Sequence, residues 1–176
     1  VREDTHTAEY DVREYGMSAV DMLAEHIASD ELASRAYRYF QSWCGVNGWP
    51  GCEKFFTGES AEELKHMAAF QAYVDDRWPG TTPPPVEDQA PINFEIESII
   101  QCFTHALELE KDVLDQINKI AQQAMAEADF DTLRFLQPYT EIGVNSIREL
   151  TAFTQQLTRA IDDVAALHLF DSEIGE

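Results

Sequence analysis

Positive charge is scarce in this chain. Lys and Arg number 12 against 33 Asp and Glu, for a formal net charge of −21 over 176 residues. Such a field repels phosphate, which excludes nucleic acid and anionic membrane surfaces as expected partners and favours cations. Solubility alone, or life in salt, would account for the bare charge equally well. Cysteine is also scarce: Cys44, Cys52 and Cys102 are odd in number and lack paired spacing, which fits a reduced compartment better than a disulfide scaffold. No apolar run is long enough to span a bilayer, and no segment reads as a secretory signal. A cytoplasmic location is expected. A plastid location stays open if a targeting segment preceded Val1.

What remains is 44% hydrophobic, enough for one domain with a sizeable core. Residues 1–16 are polar and end on Gly16, and they read as an N-terminal extension on a body of residues 17–176. From Ser18 to Cys44, Val20, Leu23, Ile27, Asp30, Ser34 and Tyr37 recur at three- and four-residue steps, as one helix face does. Gly45, Asn47, Gly48, Pro50 and Gly51 mark a turn. A second helix is expected over Glu53–Arg77, a third over Asn93–Ala128, and a fourth from about Asp131 to Val164. A short apolar element, Ala166–Ile174, has no obvious place in a four-helix core and reads as an arm for contacts between subunits.

Pro79 to Pro91 carries four prolines after Gly80 and no helical pattern. Thirteen residues at about 3.1 Å each reach about 40 Å, and a helix of about 27 residues is also about 40 Å long. The segment can therefore run the length of the bundle and set the third helix parallel to the second. The expected fold is all-α, a four-helix bundle with one long crossover.

Against this frame, charges stand where apolar residues belong. Asp30, Glu63 and Glu110 each fall on the inward seam of a different helix. Glu63 and His66, three residues apart, project from one face. Buried carboxylates cost several kcal/mol each unless paired or coordinated. A lone inward carboxylate or histidine is ordinarily part of the core or its edge. Four at one depth point instead to a cation held by oxygen and imidazole ligands, a set suited to iron, manganese or zinc. Glu31 is the rival to Asp30 on the first helix.

These stretches resemble the non-haem ferritins of bacteria and eukaryotes. Asp30-Glu31-Leu32-Ala33-Ser34-Arg35-Ala36-Tyr37 is similar to the family's first-helix motif, with Ala, Ser and the final Tyr in register. Glu62-Glu63-Leu64-Lys65-His66 resembles its Glu-Glu-x-x-His helix, and Ala106 to Lys111 its third-helix ligand motif. Asp129-Phe130 through Tyr139 resembles the start of the fourth helix, and His168 to Ile174 the short fifth helix. The resemblance implies a diiron centre. Asp30, Glu63 and His66 would hold one Fe(II), and Glu63 would bridge to a second held by Glu110. Glu62 would assist there or lead iron onward, and Tyr37 would stand beside the site. It further implies ferroxidase activity with dioxygen or peroxide, storage of Fe(III) mineral in a hollow homo-oligomer of 24 subunits, and no haem. A mineral-nucleating shell subunit with weak oxidation is the alternative, and a metal-free helical interaction protein a lesser one.

The chain departs from that pattern in two places. Asp30 stands where the family has Glu, one methylene longer. On the fourth helix, Gly143 and Ser146 occupy the positions from which many ferritins face the second iron with Gln or Glu, so weaker binding of that iron is expected.

Overall fold

The computed structural model describes residues 17–81 and 94–176. The 1–16 extension and the proline-rich core of the crossover, 82–93, lie outside the described residues. Five helices follow in order: α1 (Ala19–Val46), α2 (Pro50–Arg77), α3 (Ile99–Ala126), α4 (Phe130–Arg159) and α5 (Val164–Ile174). No strand occurs among the described residues. α1 packs chiefly on α2 and α3 chiefly on α4. A further contact of α1 with α3 joins the two pairs.

Local chemistry sets the helix ends. Ser18 opens α1 in a capping box with Asp21, satisfying backbone donors that the first turn leaves free. The Asp129 carboxylate accepts the Thr132 N–H at 3.1 Å to open α4, and Arg77 clamps the same carboxylate at 2.7 Å. Asp129 is thus a cap and an ion-pair partner. Asp163 accepts from the N–H groups of Ala165 and Ala166, which starts α5 at Val164 and ends α4 at Arg159, short of the expected Val164. α3 begins at Ile99 rather than Asn93, where Ser98 N–H meets the Gln101 side chain at 3.2 Å. Pro50 and Gly51, expected in a turn, form the first turn of α2. Proline is tolerated there because its missing N–H would have no helical partner.

The buried residues fall into two apolar clusters. One gathers Tyr37, Phe40, Phe56, Phe103, Leu150 and Phe170. The other gathers Leu23, Ile27, Phe70, Ile117, Ile120 and Leu136. Each large side chain so buried contributes about 1.5–3 kcal/mol. Cys44, Cys52 and Cys102 all lie in the first cluster as free thiols, where they serve as small apolar groups. Asp30, Ser34, Ser60, Glu63 and Glu110 are buried polar side chains that belong to neither cluster. Ser34 and Ser60 tie α1 to α2, each hydroxyl reaching the other residue's carbonyl at 3.0 Å.

α5 is not a projecting arm. It docks on its own bundle, with Phe170 packed edge-on against Phe103 and Phe153 and the Asp171 carboxylate accepting the Cys52 N–H at 2.8 Å. Gly51 permits this approach: a Cβ there would lie 1.7 Å from the Asp171 carbonyl oxygen. Among the described residues, no helix is long and apolar enough to cross a membrane.

Candidate metal centre

The helix periodicity carries three carboxyls inward as the sequence implies. Asp30 is 1%, Glu63 5% and Glu110 4% exposed. Glu31, the rival on α1, stands at the half-exposed edge. His66, one turn beyond Glu63, is half-buried, with its Nδ1 3.7 Å from Glu63 Oε1 and its ring edge-on to Tyr139. Asp30, Glu63, His66 and Glu110 line one cavity of about 20 Å³, room for a single water-sized particle. Tyr37 donates its hydroxyl hydrogen to Glu110 Oε1.

Two carboxylate oxygens in this layer, Asp30 Oδ2 and Glu63 Oε2, are buried with no hydrogen-bond partner. Such atoms are rare in folded proteins and ask for an ion, a water or a proton. The electrostatics agree. Burial, followed by the charges of Glu63 and Glu110, pushes the Asp30 carboxyl up to about 9. Burial, then Glu63, pushes Glu110 up to about 7, although the Tyr37 hydroxyl and His66 pull the other way. Glu59, half-buried one turn before Glu63, also rises to about 7, through burial and then the charges of Glu110 and Glu149. His66 is raised, first by the Glu63 carboxylate beside it. The buried carboxyls of this layer therefore keep their protons toward neutral pH.

Some expected residues are not drawn in. Glu62 is exposed and paired with Lys65 at 2.5 Å, so it does not line the cavity. Gly143 lines it and Ser146 does not. A Cβ on Gly143 would already meet Leu114 Cδ1 at 3.1 Å. Among the described residues, no three His, Cys, Asp or Glu side chains form a closed ligand set. The donors share a cavity without converging on one point.

Residue-by-residue reading of the seams overlooked His26. It is 1% exposed and lines the same cavity. Its Nε2 lies 3.3 Å from Asp30 Oδ1 and its Nδ1 3.2 Å from Gln116 Oε1. Burial lowers its pKa to about 4. With Asp30 protonated and His26 neutral near pH 7, their contact joins two uncharged groups and is not an ion pair. The signal was its spacing: His26 stands four residues before Asp30, on the same helix face.

A four-helix bundle with carboxylates and an imidazole facing inward from three of its helices defines a class, the ferritin-like bundles. The chain belongs to the ferritin family: the family described as Ferritin-like domain matches residues 20–160. Among individual proteins, it is 25% identical over 158 residues to a probable bacterial non-heme ferritin-like protein of Haemophilus influenzae, covering 90% of this chain and 94% of that one. It is likewise 25% identical over 156 residues to a bacterial non-heme ferritin of Staphylococcus aureus, covering 89% and 92%. Its fold superposes with a TM-score of 0.82 on a closed form of the Archaeoglobus fulgidus ferritin engineered by mutagenesis, at 26% identity over 89% of this chain and 94% of the other.

Proposed function

We propose that this protein stores iron and oxidises Fe(II) as it does so. The observation that carries this reading is the single cavity lined by Asp30, Glu63, His66 and Glu110, with two carboxylate oxygens buried in it and unpartnered. Membership of the ferritin family supports iron storage in general, and the geometry supports a role for these particular residues.

In this reading Fe(II) is the substrate. Asp30, Glu63 and His66 hold one ion, Glu63 bridges, and Glu110 holds a second. Two Fe(II) ions give up one electron each, and dioxygen takes both with two protons to leave as hydrogen peroxide. Carboxylates assist because they stabilise the harder Fe(III) product over Fe(II). Tyr37 holds Glu110 in place through its hydroxyl. Asp30 and Glu110 release protons as the cations enter. Glu62, on the surface, and Glu59, between surface and cavity, are suited to pass cations along rather than to hold them. The Fe(III) product would collect as mineral in a hollow homo-oligomer, with 24 subunits as the expected number, formed by residues 17–176 with 1–16 as an appended extension. The expected compartment is the cytoplasm.

A second reading has one observation in its favour. α4 offers the cavity Gly143 in place of a ligand, so the second ion has fewer donors. A shell subunit that nucleates mineral and oxidises slowly would follow. Stopped-flow absorbance decides between them. Metal-free protein is mixed with two Fe(II) per subunit in aerobic buffer, alongside Glu63→Ala. A fast transient lost in the variant supports the oxidase. A slow featureless rise, equal in both, supports the nucleating shell.

A further inference from the structure

We propose that His26 is itself a metal ligand, supplying a second imidazole nitrogen to the cavity from α1. The inference rests on the metal-site reading above and extends it to a residue outside the ligand set that the sequence resemblance implies.

Three observations carry it. His26 is completely buried and lines the same cavity as the carboxylates. Its outer nitrogen, Nδ1, is held by Gln116 Oε1 at 3.2 Å. This is the arrangement of a ligating histidine, whose remote N–H is engaged so that tautomer and ring orientation are set before the metal arrives. With Nδ1 carrying the hydrogen toward Gln116, Nε2 presents its lone pair on the side of Asp30.

The third observation is the spacing of the donor atoms. Nε2 lies 3.3 Å from Asp30 Oδ1. Bonds from a divalent first-row ion to nitrogen or oxygen run about 2.0–2.2 Å. Neighbouring donors around one such ion then stand about 3.0 Å apart at a right angle and about 3.4 Å apart in a tetrahedron. The observed edge falls within that interval, so the pair can close on one ion without moving the helix. The ring also rests against Phe70 at 4.5 Å between centroids, which restricts its rotation. Phe70 and Gln116 alone would suit a core histidine. In the metal-free protein the protonated Asp30 carboxyl can donate to Nε2, and a cation entering the cavity would take that proton's place between the two donors.

The arrangement also makes sense of Asp30. Its side chain is a methylene shorter than glutamate and reaches less far into the cavity. An imidazole one turn earlier on the same face restores a donor at that site. The site then has two nitrogens, His26 and His66, which suits divalent transition ions.

The test uses Co(II) as the probe, on the full-length protein carrying ¹⁵N-labelled histidine. Proton NMR in water follows the imidazole N–H signals that Co(II) shifts far from their usual positions. The His26 N–H is buried and bonded to Gln116, so it exchanges slowly and stays visible. The expected result is one far-shifted imidazole signal that disappears in His26→Gln and persists in His66→Gln. His26→Gln should also weaken Co(II) binding by at least about 10-fold. Should His26→Gln fail to fold by circular dichroism, Gln116→Leu keeps the imidazole and should move the same signal. Co(II) binding that Glu63→Ala abolishes, but that shifts no His26 signal, overturns the inference and leaves the metal-site reading standing. Absence of Co(II) binding, or binding indifferent to Glu63→Ala, overturns both.

Discussion

Tyr37 on α1 donates its hydroxyl hydrogen to Glu110 on α3, joining two helices across the middle of the bundle. The bond is buried, and its neutral donor partly offsets the burial that pushes Glu110 toward protonation. Tyr37→Phe removes the donor and leaves the ring packed against Phe40 and Phe56. The variant should lose about 1–3 kcal/mol in urea unfolding of the metal-free protein. It should also bind Co(II) at Glu110 more weakly, while keeping its helical content.

Asp30 sets the proposed binding chemistry against stability. In the metal-free protein its carboxyl is neutral near pH 7, at a cost relative to the ionised group of the unfolded chain. Asp30→Asn keeps the shape and removes the conflict. Calorimetry of the metal-free variant at pH 7 should show a gain of about 2 kcal/mol, roughly 4–8 °C for a chain of this size. Titration calorimetry should show Co(II) binding reduced at the same time. A variant less stable than the parent would mean that Asp30 is ionised and satisfied in the native protein.

The same group sets a pH dependence. Its folded value is about 9 against 3.8 for the ordinary carboxyl. Between those values the folded state holds a proton that the unfolded state has lost, so stability falls as pH rises. Glu110 and Glu59, both near 7, act in the same direction over the lower part of the range. Metal-free protein should therefore lose stability steadily from about pH 4 to about pH 9. Asp30→Asn should flatten the slope, most clearly above pH 7, where Asp30 alone among the three still holds its proton. Equal slopes in both proteins would remove Asp30 as the cause.

Gly51 acts at a different end of the bundle from the carboxylate cavity. Its missing Cβ admits the Asp171 carbonyl, which lets α5 close the end of the bundle. Gly51→Ala forces the two segments apart and should cost about 1–3 kcal/mol. Hydrogen exchange would localise the loss: amides of α5 and the Cys52 N–H should exchange faster, while those near Asp30 keep their protection.

Much of this architecture is legible in single residues. Ile96, Ile99, Phe103, Ala106, Glu110, Val113, Ile117 and Ile120 make up the seam that the periodicity predicts for the third helix; the last seven are buried on α3, whereas Ile96 lies before its first turn and is only partly buried. Their spacing is enough, because a long helix with one apolar face can bury it only one way. The ends were less legible. Pro50 and Gly51 read as a turn by residue type, yet they begin α2: proline suits the first helical position, and only the docking of α5 shows why a glycine follows it. Pairing was less legible still. Nothing in Glu62 and Glu63 as neighbours states that one is bonded to Lys65 in solvent and the other buried without a partner.

The sequence by itself determined the helices, the inward placement of Asp30, Glu63 and Glu110, and the family. These follow from periodicities and local motifs that act within one turn or one helix. Only the tertiary structure decided that His26 joins them, that Ser146 stays away, and that α5 folds back onto its own chain. Each of those depends on which side chains meet across helices: Gln116 on α3 turning a ring on α1, Leu114 crowding Gly143, and Gly51 making room for Asp171. Such meetings depend on how the helices rotate and pack against one another, and no spacing within a single helix records that.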